Sequence, residues 1–506
     1  MDRAGNRPKA MASPAASAKA ATATSPMTTN STTEGSSAAG QSPADGLPIP
    51  RRYLAIAAMS FGSALVALDA GVANVALPTI AHDLGIERSA AVSVVTVYQL
   101  TLVMLLLPFA GLGERIGLKR TYQAGQALFA VATALCFFAK SLPFLLIVRA
   151  AQAVGAAGVL SVASALIRQI YPNRQLGKGL AFNSVCVTGS AAAAPTVGGF
   201  ILAAAPWPWV FASAVPFALL SLLFGRAIPD PAPRQGRFDL TGALLSAATF
   251  GLVIGGLEGL VHGDSPVVAG AVALTGVAVG IGLIRHQLRI PAPILPVDLL
   301  ARPVLALSAA GGFLAFTASM TLLISTPFRL QALGFEVAAI GACIAPWPLT
   351  NVLVAPLAGY LSDRIPAGLL GGIGMTVSIV ALVLIGTMPP HPGWGDVAWR
   401  MALCGSGFGL YLPPNARLLI GSAPRARAAA AGSLVSTVRL SGQTTGATLV
   451  AALLALGVGA GRTPAFVAAG FALVAGLLSL ARLRPSVRDP DAVETAGDVP
   501  VLKQAR

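Results

Sequence analysis

Asp69 stands inside a run of apolar and small residues, Phe61-Gly-Ser-Ala-Leu-Val-Ala-Leu-Asp-Ala-Gly-Val-Ala-Asn-Val-Ala-Leu-Pro78, of the kind that crosses a lipid bilayer. A carboxylate at the centre of such a helix costs about 2.5–3.5 kcal/mol on insertion scales, so its presence calls for a function. Removal from water penalises the charged form of a carboxyl, and the chemistry on offer is uptake and release of a proton. The bland alternative is a structural ion held permanently by a partner. Arg149 lies about eight residues into another apolar run, and Asp69 about nine from the end of its own, which at 1.5 Å per residue matches their depths. A pair at that depth reads either as a switch, opened when the acid is protonated, or as a fixed salt bridge. Gln152, one turn on, adds a neutral hydrogen-bonding group.

Arg439, in Ser436-Thr-Val-Arg-Leu-Ser-Gly-Gln-Thr-Thr-Gly446, sits in the middle of a late apolar run that carries Gly442 and Gly446 at small-xxx-small spacing. No acid lies within the apolar runs of that part of the chain. Carbonyls freed by a kink, water, Asp69 or a bound substrate are its available partners. Glu258, close to His262 and Asp264, reads as peripheral.

These groups need a membrane-spanning frame, and the composition supplies one. The chain has 506 residues, 55% hydrophobic and only 10% charged, with a mean hydropathy of +0.75. Cutting it where charge, Pro and Gly cluster leaves about fourteen apolar segments of roughly twenty residues, the length that crosses about 30 Å of hydrocarbon. Their centres fall near Ala64, Thr101, Ala130, Ala156, Ala191, Phe217, Phe250, Ala273, Phe316, Pro348, Ile379, Gly409, Gly442 and Ala472. The net charge of +15 is spread over short gaps instead of one patch, which argues for membrane topology and against nucleic acid. Arg51, Arg115, Lys119, Arg120, Arg168, Lys178, Arg226, Arg285 and Arg302 mark alternate connections as cytoplasmic, and an even number of spans then puts both termini there. Cys136, Cys186, Cys343 and Cys404 lie in separate apolar stretches without ligand spacing, so buried reduced thiols are expected and no metal or other cofactor.

Two connections repeat. Ala110-Gly-Leu-Gly-Glu114-Arg115-Ile-Gly117-Leu-Lys119-Arg120 has a cousin in Gly359-Tyr-Leu-Ser-Asp363-Arg364-Ile-Pro-Ala-Gly368. Their separation implies an all-α integral membrane fold: two pseudo-symmetric six-helix bundles with two further helices inserted between them. The expected divisions are a disordered cytoplasmic tail over 1–50, the first bundle over 51–228, the inserted pair over 229–290, the second bundle over 291–485 and a short tail over 486–506.

With these motifs the chain resembles a major facilitator superfamily transporter, and within it the fourteen-span drug:proton antiporter family. Leu68-Asp69-x-x-Val72-x-Asn74-Val75-Ala76-Leu77-Pro78 is similar to the first-span signature of that family, and the Glu114 loop to the superfamily's inner-loop motif. Arg149-Ala-Ala-Gln152-Ala-Val-Gly155 resembles the proton-linked motif of span four, and Pro195-Thr-Val-Gly198-Gly199 the antiporter motif of span five. Departures are Ala110, Ala153 and Ala194 where the family has Gly, and Glu114 where it has Asp. The resemblance implies a proton-relay role for Arg149. It also implies that Glu114, Arg115, Gly117, Lys119 and Arg120, with Asp363 and Arg364 as their repeat, latch one half against the other. The pairing expected is Glu114 with the start of span thirteen near Arg425 and Arg427, and Asp363 with Lys178 to Leu180. Pro195 in span five, Pro346 and Pro348 in span ten and Pro413-Pro414 in span twelve are expected bends.

The implied activity is export of an amphipathic or aromatic small molecule in exchange for protons, by alternating access, from a monomer in a bacterial inner membrane. Any outer-membrane efflux partner is beyond the sequence. A second reading is a proton-linked carrier of an anionic metabolite, with Arg149, Arg329 or Arg439 on the substrate carboxylate. An enzyme is disfavoured because His82, His262, His286 and His391 are scattered over unrelated gaps, and an ATP-driven pump because no G-x-x-x-x-G-K-[ST] is present.

Overall fold

The computed structural model describes residues 46–172, 175–230, 239–261, 265–290, 297–362, 364–422 and 428–484. Asp363, the acid of one expected latch pairing, and Arg425 and Arg427, the partner side of the other, lie outside this set, as do residues 1–45 and 485–506.

The described residues form an all-helical membrane fold. In chain order the helices are α1 (Arg51–Asp83), α2 (Arg88–Ile116), α3 (Leu118–Leu135), α4 (Leu142–Ile170), α5 (Leu176–Ala204), α6 (Pro208–Ala212), α7 (Val215–Phe224), α8 (Leu240–Val261), α9 (Pro266–Gln287), α10 (Pro303–Ala332), α11 (Val337–Ile344), α12 (Pro346–Leu361), α13 (Ala367–Gly386), α14 (Trp394–Gly421), α15 (Ala428–Ala455) and α16 (Thr463–Ala481). Every expected span centre falls inside one of them. Among the described residues twelve segments are long and apolar enough to cross a membrane. The helices α14 and α15, each 28 residues and interrupted in hydropathy by their polar groups, bring the passes to fourteen. The sixth pass is broken between α6 and α7, where Pro216 follows, and the tenth between α11 and α12, where Pro346 withholds a backbone N–H. Pro195 instead sits inside an unbroken α5, and Pro413 and Pro414 inside an unbroken α14.

The two halves pack by the same rule. In the first, α1 lies on α5 and α7, α2 on α4, and α3 on α4 and α7. In the second, α10 lies on α15 and α16, α12 on α14, and α13 on α14 and α16. Each contact has its counterpart. The halves meet where α2 packs on α15 and α5 on α11, which is again one contact repeated. Small residues allow the closest approaches: a side chain at Gly155 of α4 would meet the Phe129 backbone N of α3 at 2.5 Å, so α4 and α3 pack backbone to backbone.

The inserted pair, α8 and α9, packs on α2 and α15 through α8. Asp239 secures it at the end where it joins the halves. Its carboxylate accepts from the Gly242 N–H at 2.7 Å and from Gln287 Nε2 at 2.7 Å, and lies 2.9 Å from His286 Nε2. Partial burial raises the Asp239 carboxyl, but the bonds from His286, Gly242 and Gln287 outweigh it and hold the group below the usual aspartate range.

Large apolar side chains such as Val131, Ile147, Phe200, Val267 and Leu274 point outward, as a lipid-facing surface requires. Cys136, Cys343 and Cys404 are buried, whereas Cys186 is half-buried. The connections bearing Arg51, Arg115, Lys119, Arg168, Arg226, Arg285 and Arg302 all lie at one end of the helices, here termed the basic face. Gly117 makes the α2–α3 turn there at φ +111°, a backbone region that disfavours a side chain.

Candidate functional site

The parallel runs of α1 and α3, with α4 between them, bring the predicted trio together. Arg149 Nη1 donates to Asp69 Oδ2 at 2.6 Å and to Gln152 Oε1 at 2.5 Å, and Gln152 Nε2 donates to Asp69 Oδ1 at 2.9 Å. The side chains of Arg149 and Asp69 are 0% and 1% exposed. The depth argument therefore describes a real contact. On the same helix Gly62 lies against Tyr122 of α3, and Val72 and Ala76 lie in an apolar cluster with residues of α10 and α15.

Four further groups complete the site. Gln152 Nε2 also donates to Thr133 Oγ1 at 2.8 Å, and Arg149 Nε donates to the Val94 carbonyl at 3.3 Å. The guanidinium lies 4.2 Å from the Tyr98 ring centroid and 5.1 Å from that of Phe211. Besides Asp69, Arg149 thus has a carbonyl, an amide oxygen and two ring faces as partners. Thr133, Tyr98, Val94 and Phe211 come from α3, α2 and α6, and no spacing along the chain connects them to Asp69.

Asn74, also on α1, is buried, and its Oδ1 has no hydrogen-bond partner among the described residues. Arg439 is half-buried in mid-α15 and forms no hydrogen bond or ion pair among the described residues. Its direction follows from its neighbours. Gly442 and Gly446 seat on Phe313 and Thr317 of α10, Leu440 packs with the first bundle, and Thr448 Oγ1 donates to Glu258 of α8 at 2.9 Å. Arg439 lies on α15 between the Gly446 face, which meets α10, and Leu440, which packs with the first bundle. Glu258, read from sequence as peripheral, thus anchors the inserted pair to α15.

Toward the opposite face the space between the halves is sealed. Val72, Ala76, Leu77 and Ile80 of α1 form one apolar cluster with Met320, Ile324 and Phe328 of α10 and Val450 and Ala451 of α15. A side chain at Gly341 of α11 would meet the Pro195 carbonyl at 2.4 Å and Gly199 Cα at 2.9 Å, so the span-five residues Pro195 and Gly199 form part of this seal. Gly198 faces Val72 of α1, where a side chain would meet Cγ1 at 2.9 Å. On the basic-face side of the seal a cavity of about 400 Å³ lies between Ser184 and Thr188 of α5 and Phe316, Leu412, Asn415 and Val435 of the second half. Arg439 is one helical turn beyond Val435, on the same face of α15.

Among the loop residues, Glu114, Arg115 and Arg120 are exposed at the basic face, Lys119 Nζ donates to the Arg226 carbonyl at 3.2 Å, and Arg364 lies 4.6 Å from the Tyr360 ring centroid. A further buried arginine carries no signal in the sequence. Arg482 donates to Ser308 Oγ at 2.9 Å, Asn415 Oδ1 at 2.6 Å and Ser479 Oγ at 2.6 Å, which ties α16 to α10 and α14. Its place near the end of the last apolar run reads as a topology signal, and its uncharged acceptors give no motif.

The family profile described as Major Facilitator Superfamily matches residues 59–447, a stretch containing Asp69, Arg149, Gln152 and both repeated loops. The chain belongs to the Major Facilitator Superfamily. It is 43% identical over 415 residues to the uncharacterized transporter YebQ of Escherichia coli (strain K12), covering 81% of this chain and 91% of that one. It is 29% identical over 412 residues to the multidrug resistance protein Stp of Mycobacterium tuberculosis (strain CDC 1551 / Oshkosh), covering 79% and 76%. The crystal structure of a bacterial homologue of the human lysosomal transporter Spinster superposes with a TM-score of 0.64 at 17% identity, covering 86% of this chain and 97% of that one. The protein is accordingly a multi-pass membrane transporter and not an enzyme.

Proposed function

We propose that this superfamily member is a fourteen-span exporter that exchanges inbound protons for an outbound amphipathic or aromatic compound by alternating access. The observation that carries the reading is the enclosed Asp69–Arg149–Gln152 trio. The multidrug relative and the mostly apolar cavity beside Phe316 support the substrate class. In this scheme the basic face is cytoplasmic in a bacterial inner membrane, and the sealed opposite face makes the present conformation inward-open. Protonation of Asp69 from outside accompanies release of substrate, and loss of that proton inside resets the carrier. Movement of one charge through the membrane potential supplies about 2.3 kcal/mol per 100 mV. Glu114 and its loop latch the halves when the basic face shuts, and the monomer suffices for the cycle.

A second reading is favoured by one observation. Arg439 puts a positive charge on α15 between its α10 contact and the first bundle, one turn from Val435 of the cavity, so a proton-linked carrier of an anionic metabolite would have a counter-charge near by. Efflux of dyes from everted vesicles separates the two. Efflux of a neutral or cationic aromatic dye that is abolished by a protonophore and by Asp69→Asn supports the exporter. Transport restricted to carboxylate-bearing dyes supports the second reading, and full proton-driven efflux in Asp69→Asn removes Asp69 from coupling.

A further inference from the structure

Arg482, at the end of α16, is a buried cation whose hydrogen bonds all go to neutral oxygens. Nη1 donates to Ser308 Oγ and Asn415 Oδ1, Nη2 to Ser479 Oγ, and Nε to the Ser479 carbonyl at 3.4 Å. The two serines direct their own protons elsewhere, Ser308 Oγ to the Val304 carbonyl at 2.7 Å and Ser479 Oγ to the Gly368 carbonyl at 2.9 Å. A buried charge held by neutral groups is costly to keep, which asks for a role beyond joining helices.

Its effect on Asn415 supplies one. A guanidinium has no acceptor, so the amide atom that meets it at 2.6 Å has to be Oδ1. Nδ2 is thereby turned the other way. One of its hydrogens goes to the Ser308 carbonyl at 3.0 Å, and the second has no acceptor among the described residues. A side chain added at Gly312 of α10 would stand 3.0 Å from Nδ2 and 3.1 Å from Val438 Cγ1, so these two atoms flank one point. Asn415 and Val438 both line the cavity of about 400 Å³ between the halves. Nδ2 is therefore the cavity end of the amide, and Oδ1 the end held by Arg482.

On the first half, Thr188 of α5 brings the opposite polarity to the same cavity. Its hydroxyl proton goes to the Ser184 carbonyl at 2.7 Å, which leaves only lone pairs for a ligand. Phe316, Leu412, Leu419 and Val435 supply the apolar wall.

We propose that this cavity selects an aromatic compound carrying a carbonyl acceptor for Asn415 and a hydroxyl or N–H donor for Thr188, with Arg482 as the positioning residue that fixes the polarity of Asn415. Such a compound bonds both halves at once. Arg482 touches no ligand; it acts by keeping Oδ1 out of the cavity. Without it the amide turns over, and the preference for a carbonyl is lost.

This inference rests on the reading of the cavity as the substrate site, and the test separates the two. The probes share a three-ring skeleton: hydroxyanthraquinone has both groups, anthraquinone the carbonyls alone and anthrol the hydroxyl alone. In equilibrium dialysis of the purified full chain, hydroxyanthraquinone should bind about five-fold tighter than either of the others. Asn415→Asp keeps an acceptor for Arg482 but has no donor, so anthraquinone should weaken about five-fold while anthrol is unchanged. Thr188→Val should weaken anthrol and spare anthraquinone. Arg482→Gln should behave as Asn415→Asp does, and Arg482→Lys, which still donates to Oδ1, should restore the preference. If Arg482→Gln does not fold, Ser479→Ala, which loosens the guanidinium, should show the same selective loss at about two-fold. Equal weakening of all three probes in these Arg482 and Ser479 variants would make Arg482 a structural clamp and overturn its positioning role. Equal affinity of wild type for the three probes, unchanged in Asn415→Asp and Thr188→Val, overturns the selection and leaves the exporter reading standing. Absence of binding of every probe to wild type overturns both.

Discussion

Arg149 engages Asp69 through one nitrogen only. Nη1 serves both Asp69 Oδ2 and Gln152 Oε1, while Nη2 has no hydrogen-bond partner among the described residues. A single-point contact lacks the hold of a bidentate fork, and the Gln152 amide lies against both partners. The proposed coupling role requires a pair that can be opened and remade, and a single-point contact suits that.

Replacing Arg149 should expose both sides of that design. Arg149→Gln leaves a buried carboxylate without its cation, and loss of one partner of a buried pair costs about 3–5 kcal/mol. Lower yield and a reduced melting temperature in detergent are expected. Arg149→Lys keeps the charge but loses the planar stacking on Tyr98 and the bond to the Val94 carbonyl. That variant should fold yet lose coupled transport by more than ten-fold; wild-type rates in Arg149→Lys would show that charge alone suffices.

Arg439 tests substrate choice. Arg439→Gln should leave folding intact, since no described residue depends on the charge. It should weaken binding of carboxylate-bearing aromatic dyes at least ten-fold relative to neutral ones, measured by fluorescence titration. Unchanged relative affinity would mean that Arg439 does not face the ligand.

Gly341 packs against the Pro195 carbonyl and Gly199 at the seal between the halves. Gly341→Val cannot keep that approach, so it should bias the carrier away from the conformation described here. Cysteine labelling at Ser184→Cys, in the basic-face cavity, should slow, and transport should fall in proportion. Equal labelling of both proteins would count against the seal.

Asp239 gives a pH signature at the inserted pair. Because its folded carboxyl titrates below the ordinary value of 3.8, its stabilising effect is present above that value and is lost as pH falls through the lower folded one. Asp239→Asn should melt at a lower temperature than wild type at pH 7, and the gap should close in strong acid. A gap independent of pH would assign the effect to the lost geometry of Gly242 and Gln287 instead.

The frame of this protein was legible because lipid imposes a single rule on backbone polar groups, and the rule writes itself as apolar runs of fixed length. Asp69 and Arg149 were legible for the same reason: charge at that depth is costly, and helix rise converts sequence position to depth. Thr133 and Tyr98 were not, because they are ordinary residues whose role comes from the packing of α3 and α2 around the pair. Asn415 shows the limit most clearly. An amide in an apolar helix carries no signal until the structure places Ser308 and Arg482 beside it. The direction of Arg439 likewise waited on the glycine contacts of α15, which fixed its rotation between α10 and the first bundle.

Proton release on ligand binding tests the central claim most directly. Purified protein in weakly buffered detergent, mixed with a transported dye while a pH indicator is read, should release about one proton per bound dye in wild type and none in Asp69→Asn, with dye binding retained in both. Undiminished proton release from Asp69→Asn would contradict the account.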